Sequence, residues 1–99
     1  MIFNSIVSVK TNYCFDYGKD YYGNDLKEGQ YNTTENAEAC QTECQNKIGC
    51  EYWTWDPDYD SGACWKKHGK GEIRDSRSMI SGPKQCPSQI SRLLTHDHN

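Results

Sequence analysis

The sequence predicts a small α+β domain held together by disulfides. Three observations carry that expectation. Six cysteines occur in 99 residues, and an even count in so short a chain reads as three disulfides formed in an oxidising compartment. Cys40 and Cys44 are four residues apart, so on a helix they share one face. Cys50 then opens Glu51-Tyr52-Trp53-Thr54-Trp55, a β-favouring aromatic alternation. Ala39 to Trp55 therefore reads as a short helix, a turn, and a strand that returns against the helix. The rest of the chain is organised around that pair.

Ninety-nine residues make one domain. The mean hydropathy is −1.00, too polar for ordinary aliphatic burial to carry a fold. Between the first and last cysteines the aliphatic and Phe residues are Phe15, Leu26, Ile48, Ile73, Met79 and Ile80. Such poverty would suggest disorder, but the net charge is only −3. Cross-links and aromatic side chains supply the missing burial. The acidic balance, with a pI near 5.5, argues against a nucleic-acid partner.

The elements follow in chain order. Residues 1–12 read as an edge strand or as a lead-in outside the domain proper. Tyr13 to Asp16 suits a strand, Gly18 marks a turn, Asp20 to Tyr22 is a second extended piece, and Gly23-Asn24-Asp25 is another turn. The tyrosines here read as half-buried with wet hydroxyls, or as a platform for a sugar or partner. Lys27 to Thr34 is a polar loop, within which Asn32-Thr33-Thr34 fits the N-glycosylation acceptor pattern. Asn36 suits an N-cap and Glu38 the first turn of a helix from Ala37 to Lys47. Ile48 extends its apolar face and Gly49 stops it. In the following strand Tyr52 and Thr54 face one way, and Trp53 and Trp55 face the helix. Asp56 to Gly62 is a turn and Ala63 to His68 the return strand of a hairpin. Lys66, Lys67, Lys70, Arg74 and Arg77 form a basic run, read as a solvated loop, with attraction of sulfated glycans, anionic membrane or a partner as the alternative. Met79 to Cys86 is a last short strand, a turn and the closing cysteine, and residues 87–99 are a loose tail.

Six cysteines allow fifteen pairings. Geometry weights some of them. Cys40 and Cys44 on one helix face do not readily join. Cys44 with Cys50 closes a short turn, Cys40 with Cys64 ties the helix to the next strand, and Cys14 is then left with Cys86. Metal ligation fits poorly, since no C-x2-C occurs and His68 is the only inner histidine. The turn from Asp56 is rich in aspartate, but an EF-hand loop needs glycine at its sixth position and glutamate at its twelfth. Ser61 and Lys67 stand there. No cofactor is expected. Catalysis is disfavoured too, because the cysteines are committed to disulfides and His68 has no evident nucleophile beside it. No stretch is long and apolar enough for a transmembrane span, and residues 1–9 lack the charge pattern of a signal peptide.

Several segments together resemble one family. Cys14, Cys40-x3-Cys44-x5-Cys50, Cys64 and Cys86 follow the cysteine order of PAN/apple domains. Asp20 to Leu26, Ala37 to Gln41, Cys50 to Trp55, Ala63 to Lys67 and Ile80 to Cys86 are similar as well, most of all to the members found in micronemal adhesins of apicomplexan parasites. The resemblance covers residues 13–86. It implies a five-stranded antiparallel sheet cradling one helix. It also implies the pairing Cys14–Cys86, Cys40–Cys64 and Cys44–Cys50, the same as the geometric reading. By this resemblance the chain is a non-catalytic extracellular module of a secreted adhesin, held in a secretory organelle before release, that binds carbohydrate, galactose-type glycans in some members. The alternative is docking of another adhesin subunit or a host protein. One departure stands out: the family often carries C-x-L-K where this chain has Cys64-Trp65-Lys66-Lys67. Lys66 then lies on an open strand edge or lines a polar pocket. The candidate ligand-binding residues are the aromatics Tyr52, Tyr59 and Trp65 with Asp56, Asp58, Lys66, Lys67 and His68. Rings stack on sugar faces while charged groups bond hydroxyls.

Overall fold

The computed structural model describes residues 14–87. The expectations for residues 1–12 and for the tail beyond 87 lie outside the described residues. Five strands and one helix follow in order: β1 (Asp16–Tyr22), β2 (Asn32–Thr33), α1 (Ala37–Gln45), β3 (Tyr52–Asp56), β4 (Ala63–Lys67) and β5 (Glu72–Pro83). The strands form one antiparallel sheet in the order β1-β5-β3-β4-β2. The three disulfides are Cys14–Cys86, Cys40–Cys64 and Cys44–Cys50. Fold class and pairing are therefore as expected.

Helix α1 starts where its cap allows. The Asn36 carboxamide oxygen accepts from the Ala39 backbone N–H at 2.8 Å, satisfying a donor that has no intrahelical partner. Ala37, Cys40, Gln41 and Cys44 form its buried face. The helix ends at Gln45, two residues earlier than expected: the Lys47 N–H bonds the Cys44 carbonyl three residues back, tightening the turn, and the Asn46 carboxamide donates to the Thr42 carbonyl at 3.0 Å. Ile48 therefore does not extend the helical face. It lies in the turn and is 95% exposed. Gly49, at φ +91°, takes the left-handed conformation that lets Cys50 enter the next strand.

The core lies between α1 and one face of β3 and β4. Trp53 is fully buried among Cys40, Cys44, Cys50, Cys64, Cys86, Ala37 and Phe15, and Trp55 packs against them. The Phe15 ring meets Trp53 edge-on at 4.7 Å, and the Trp53 indole N–H donates to the Pro83 carbonyl at 2.8 Å. Burying one such indole contributes roughly 4–6 kcal/mol at most, from an area of about 150–250 Å². Sulfur and rings thus replace the missing aliphatics.

Two segments differ from the sequence reading. Gly18 is not a turn but an irregularity inside β1. Tyr17 pairs with Ile80 and Lys19 with Asp75, so residues 76–79 of β5 lie opposite Gly18 alone. Glycine at φ +78° absorbs that shift. The segment read as a basic loop followed by a short strand is instead the long strand β5, which holds Arg74 and Arg77. Its outer part is mostly exposed, which is why its sequence lacks an apolar alternation. The polar loop likewise hides a strand, since β2 pairs Asn32 with Cys64 and Thr33 with Ala63.

The face away from α1 is joined by hydroxyls. The Thr54 and Ser81 hydroxyls meet at 2.7 Å, Ser81 donates to the Lys19 carbonyl, and the Tyr21 N–H reaches both oxygens. This network draws β1 toward the back of β3.

Candidate functional site: a cleft on the face opposite the helix

Strand alternation and register sort the side chains of β3 and β4 into two sets. Thr54 pairs with Trp65 and Tyr52 with Lys67, whereas Trp53 pairs with Lys66. Directly paired residues share a face. Trp65 and Lys67 therefore lie on the face away from α1, and Lys66 lies on the helix side.

A cleft of about 800 Å³ opens on the first of these faces. Asp20 and Tyr22 of β1, the loop from Gly23 to Gly29, Tyr59 of the hairpin turn, Trp65 and Lys67 line it, with Met79 from the irregular part of β5. The volume falls within the roughly 300–1,000 Å³ of small-molecule sites.

Lys67 fixes one wall. Its ammonium is buried and bonds the Asp25 carboxylate at 2.6 Å and the Gly23 carbonyl at 3.0 Å. Asp25 also accepts from the Gly29 N–H at 3.2 Å. The backbone adds two contacts from the same loop to β4: the Leu26 N–H donates to Lys66 O and the His68 N–H to Asn24 O. One side chain thus turns a polar, glycine-rich loop into a wall. Asp20 lines the cleft close enough to feel both Lys67 and Asp25. Burial, the largest influence, raises its carboxyl above the ordinary value against the pull of Lys67 and Arg74.

The opposite rim is aromatic. Tyr31, Tyr59 and Trp65 form a triangle with centroids 5.3, 5.4 and 5.5 Å apart. The Tyr31 hydroxyl donates to Asp60 at 3.0 Å, which raises its pKa, with burial and the Asp60 charge adding to the effect. Tyr59 remains half-exposed.

Of the candidate residues, Tyr59, Trp65 and Lys67 converge on this cleft. Tyr52 lies on the same face, but its ring packs edge-on against Tyr21 at 5.8 Å with the Lys70 ammonium above both. Asp56 is buried and accepts from the Asp58 N–H at 2.9 Å, so it shapes the hairpin turn. Asp58 and His68 are exposed and do not line the cleft. Lys66 is separated from it by the sheet. Its ammonium bonds Glu43 of α1 at 2.9 Å and the Asn32 carboxamide oxygen. The lysine at the departure from C-x-L-K thus has a partner, and it lines a polar pocket on the helix side. Burial pushes the Glu43 carboxyl upward, but the hydrogen bonds from Lys66 and Asn32 outweigh that and hold it below its ordinary value.

Sequence reasoning did not single out Asp20, Asp25 or Tyr31 as site residues, and offered Tyr22 only as one of several tyrosines in an alternative platform reading. Their approach depends on β1 curling toward β3 and on the loop closing over Lys67. Neither leaves a local sequence signal, apart from the glycines at 18, 23 and 29 that make both bends possible.

The fold and the cleft define a small disulfide-held α+β domain with a concave, aromatic and charged surface, consistent with the PAN/apple fold. Residues 19–67, just under half of the chain, match the family model described as PAN domain. That span runs from β1 to the end of β4 and holds four of the six cysteines. PAN domains are non-catalytic modules that bind proteins or carbohydrates in adhesion proteins. No curated protein matches the chain. Among the described residues no helix is long and apolar enough to cross a membrane.

Proposed function

We propose that the chain is a PAN/apple domain, spanning residues 13–86 between an N-terminal extension and a C-terminal tail. In this reading it serves as an extracellular recognition module of a secreted adhesin, of the micronemal type by resemblance, and binds a host-cell carbohydrate in the cleft. The observation that carries this reading is the juxtaposition of exposed Tyr59 and half-buried Trp65 with Asp20, Asp25 and Lys67. A ring face covers the apolar side of a pyranose while carboxylates and an ammonium bond its hydroxyls. The galactose preference follows from the resemblance alone.

A protein ligand is the second reading, and a separate observation favours it. Three carboxylates, Asp20, Asp25 and Glu28, face one ammonium, Lys67, along the cleft. Beside aromatic rings, that excess suits a lysine or arginine side chain of another adhesin subunit or a host protein.

A glycan array with the oxidised domain separates the two. The expected result is binding to a defined terminal sugar that is competed by millimolar free monosaccharide and lost in Trp65→Ala. A blank array, with a partner captured at low salt and released by competing arginine, would replace the sugar reading with the protein one.

A further inference from the structure

A second, smaller cavity lies on the other side of the Leu26–Tyr31 segment, facing α1. It measures about 180 Å³ and is lined by Lys27, Lys47 and Lys66 with Gln30, Asn32 and Tyr31, over Leu26. The three lysines come from three places: the loop before β2, the turn after α1, and β4. Among the described residues no carboxylate lines the cavity itself; Glu43 stands behind Lys66 and Asn32 and bonds both. Only Lys66 is neutralised, by Glu43. Among the described residues Lys27 and Lys47 form no ion pair, and the Gln30 carboxamide makes no side-chain hydrogen bond. An ammonium has three donors, and Lys66 uses two of them, on Glu43 and Asn32.

Two unpaired lysines and one paired lysine line one small hollow, in a protein whose net charge is −3. Lys66 is held there by Glu43 and Asn32, but no such partner accounts for Lys27 and Lys47 lining the same hollow. The cavity is smaller than the roughly 300–1,000 Å³ of a whole-ligand site, so it suits one functional group. We propose that this pocket binds a single anionic group, the sulfate ester or carboxylate of an acidic sugar. Lys27 and Lys47 supply the charge, Gln30 a neutral hydrogen bond, and Lys66 its remaining proton. The site is separate from the cleft, and its occupancy does not depend on what the cleft binds.

The test is an NMR titration of ¹⁵N-labelled oxidised protein made without glycan at Asn32, because Asn32 lines the pocket. The probes are galactose 6-sulfate, glucuronate, galactose and inorganic sulfate, at low ionic strength because exposed charges are screened by salt. The expected result is that an acidic sugar shifts the side-chain amides of Gln30 and Asn32 while galactose leaves them unmoved. K27Q/K47Q should weaken that binding about five- to tenfold, from up to about fivefold per exposed charge pair. Both lysines are exposed and unpaired, so the double variant should keep its fold, checked by the Trp53 near-UV signal. Equal affinity for inorganic sulfate and the sulfated sugar would support the anion pocket and remove the sugar as its source. Unmoved Gln30 and Asn32 amides with every anion, or shifts that K27Q/K47Q leaves unchanged, would overturn the proposal.

Discussion

Replacing Lys67 with methionine tests whether one buried ion pair builds the wall of the cleft. Methionine keeps the unbranched stem to one atom short of the ammonium and removes the charge. The side chains of Lys67 and Asp25 are 4% and 15% exposed, so the pair is largely out of water. Removing one member of a buried pair costs about 3–5 kcal/mol, because the other charge is left uncompensated. Asp25 keeps the Gly29 N–H and a little solvent, which places the expected loss near the lower limit, about 3 kcal/mol. For a domain of this size that lowers Tm by roughly 12–24 °C, at about 4–8 °C per kcal/mol. Guanidinium unfolding of the oxidised protein should show a lower midpoint with an unchanged slope. The double variant Lys67→Met/Asp25→Asn leaves no stranded charge and should recover about 1–2 kcal/mol of the loss, since contacting residues couple by roughly 0.5–3 kcal/mol. A loss below about 1 kcal/mol in the single variant, or additive losses in the double, would refute the reasoning.

Three further perturbations probe the rest of the fold. A Cβ at position 82 would stand 2.7 Å from a ring carbon of Trp53 and 3.3 Å from Phe15, so Gly82→Ala should cost about 1–3 kcal/mol by overpacking, read as a drop in the unfolding midpoint. In the chain-entropy treatment the Cys14–Cys86 bridge, separated by 72 residues, contributes about 4.4 kcal/mol, and Cys44–Cys50, separated by 6, about 2.4 kcal/mol. Paired Cys→Ser variants should therefore differ by about 2 kcal/mol, with the terminal bridge the more costly. The Glu43 carboxyl sits below its ordinary value in the folded state, so its contribution is present above its unfolded pKa of about 4.3 and lost as pH falls through the folded value. The stability difference between the native protein and Glu43→Gln should shrink across that acid range; a constant difference would show that Lys66 gains nothing from the charge.

The elements with strong local chemistry were legible. The Asn36 cap, the Cys40/Cys44 face and the Trp53/Trp55 alternation each depend on residues within a few positions of one another, and the structure holds all three. The disulfide pairing followed because the helix and hairpin already place four sulfurs. What was not legible depends on partners distant in sequence. β5 looks like a loop because its outer half buries little on either face, so no period of two survives in its sequence. Gly18 carries the signature of a turn and of a bulge equally, and only the register against β5 decides between them. Ile48 has the spacing of a helical face, but the Asn46 cap ends the helix before the spacing takes effect. Asp25 looks like a turn residue, and only the strand 42 positions later supplies the ammonium that gives it a second role.

Adjacent lysines on β4 make the two surfaces of this domain separable. Alternation sends Lys67 to the cleft, where it meets Asp25, and Lys66 to the helix side, where it meets Glu43. Both ions are paired with carboxylates, yet their settings are opposite in sign. Among the described residues, Lys67 is the one cation in a cleft lined by three carboxylates, and Lys66 is one of three cations in a pocket lined by none. The loop from Gly23 to Tyr31 stands between them and contributes to each. In the resembling C-x-L-K pattern the second of these positions keeps its lysine and the first carries leucine. A leucine at 66 would leave the cleft intact and remove one of the three charges from the helix-side pocket. Because neighbouring strand residues point to opposite faces, a substitution at 66 alters the helix-side pocket without disturbing the cleft. The lysine here departs from the pattern at the position where the proposed anion pocket gains a charge without cost to the cleft.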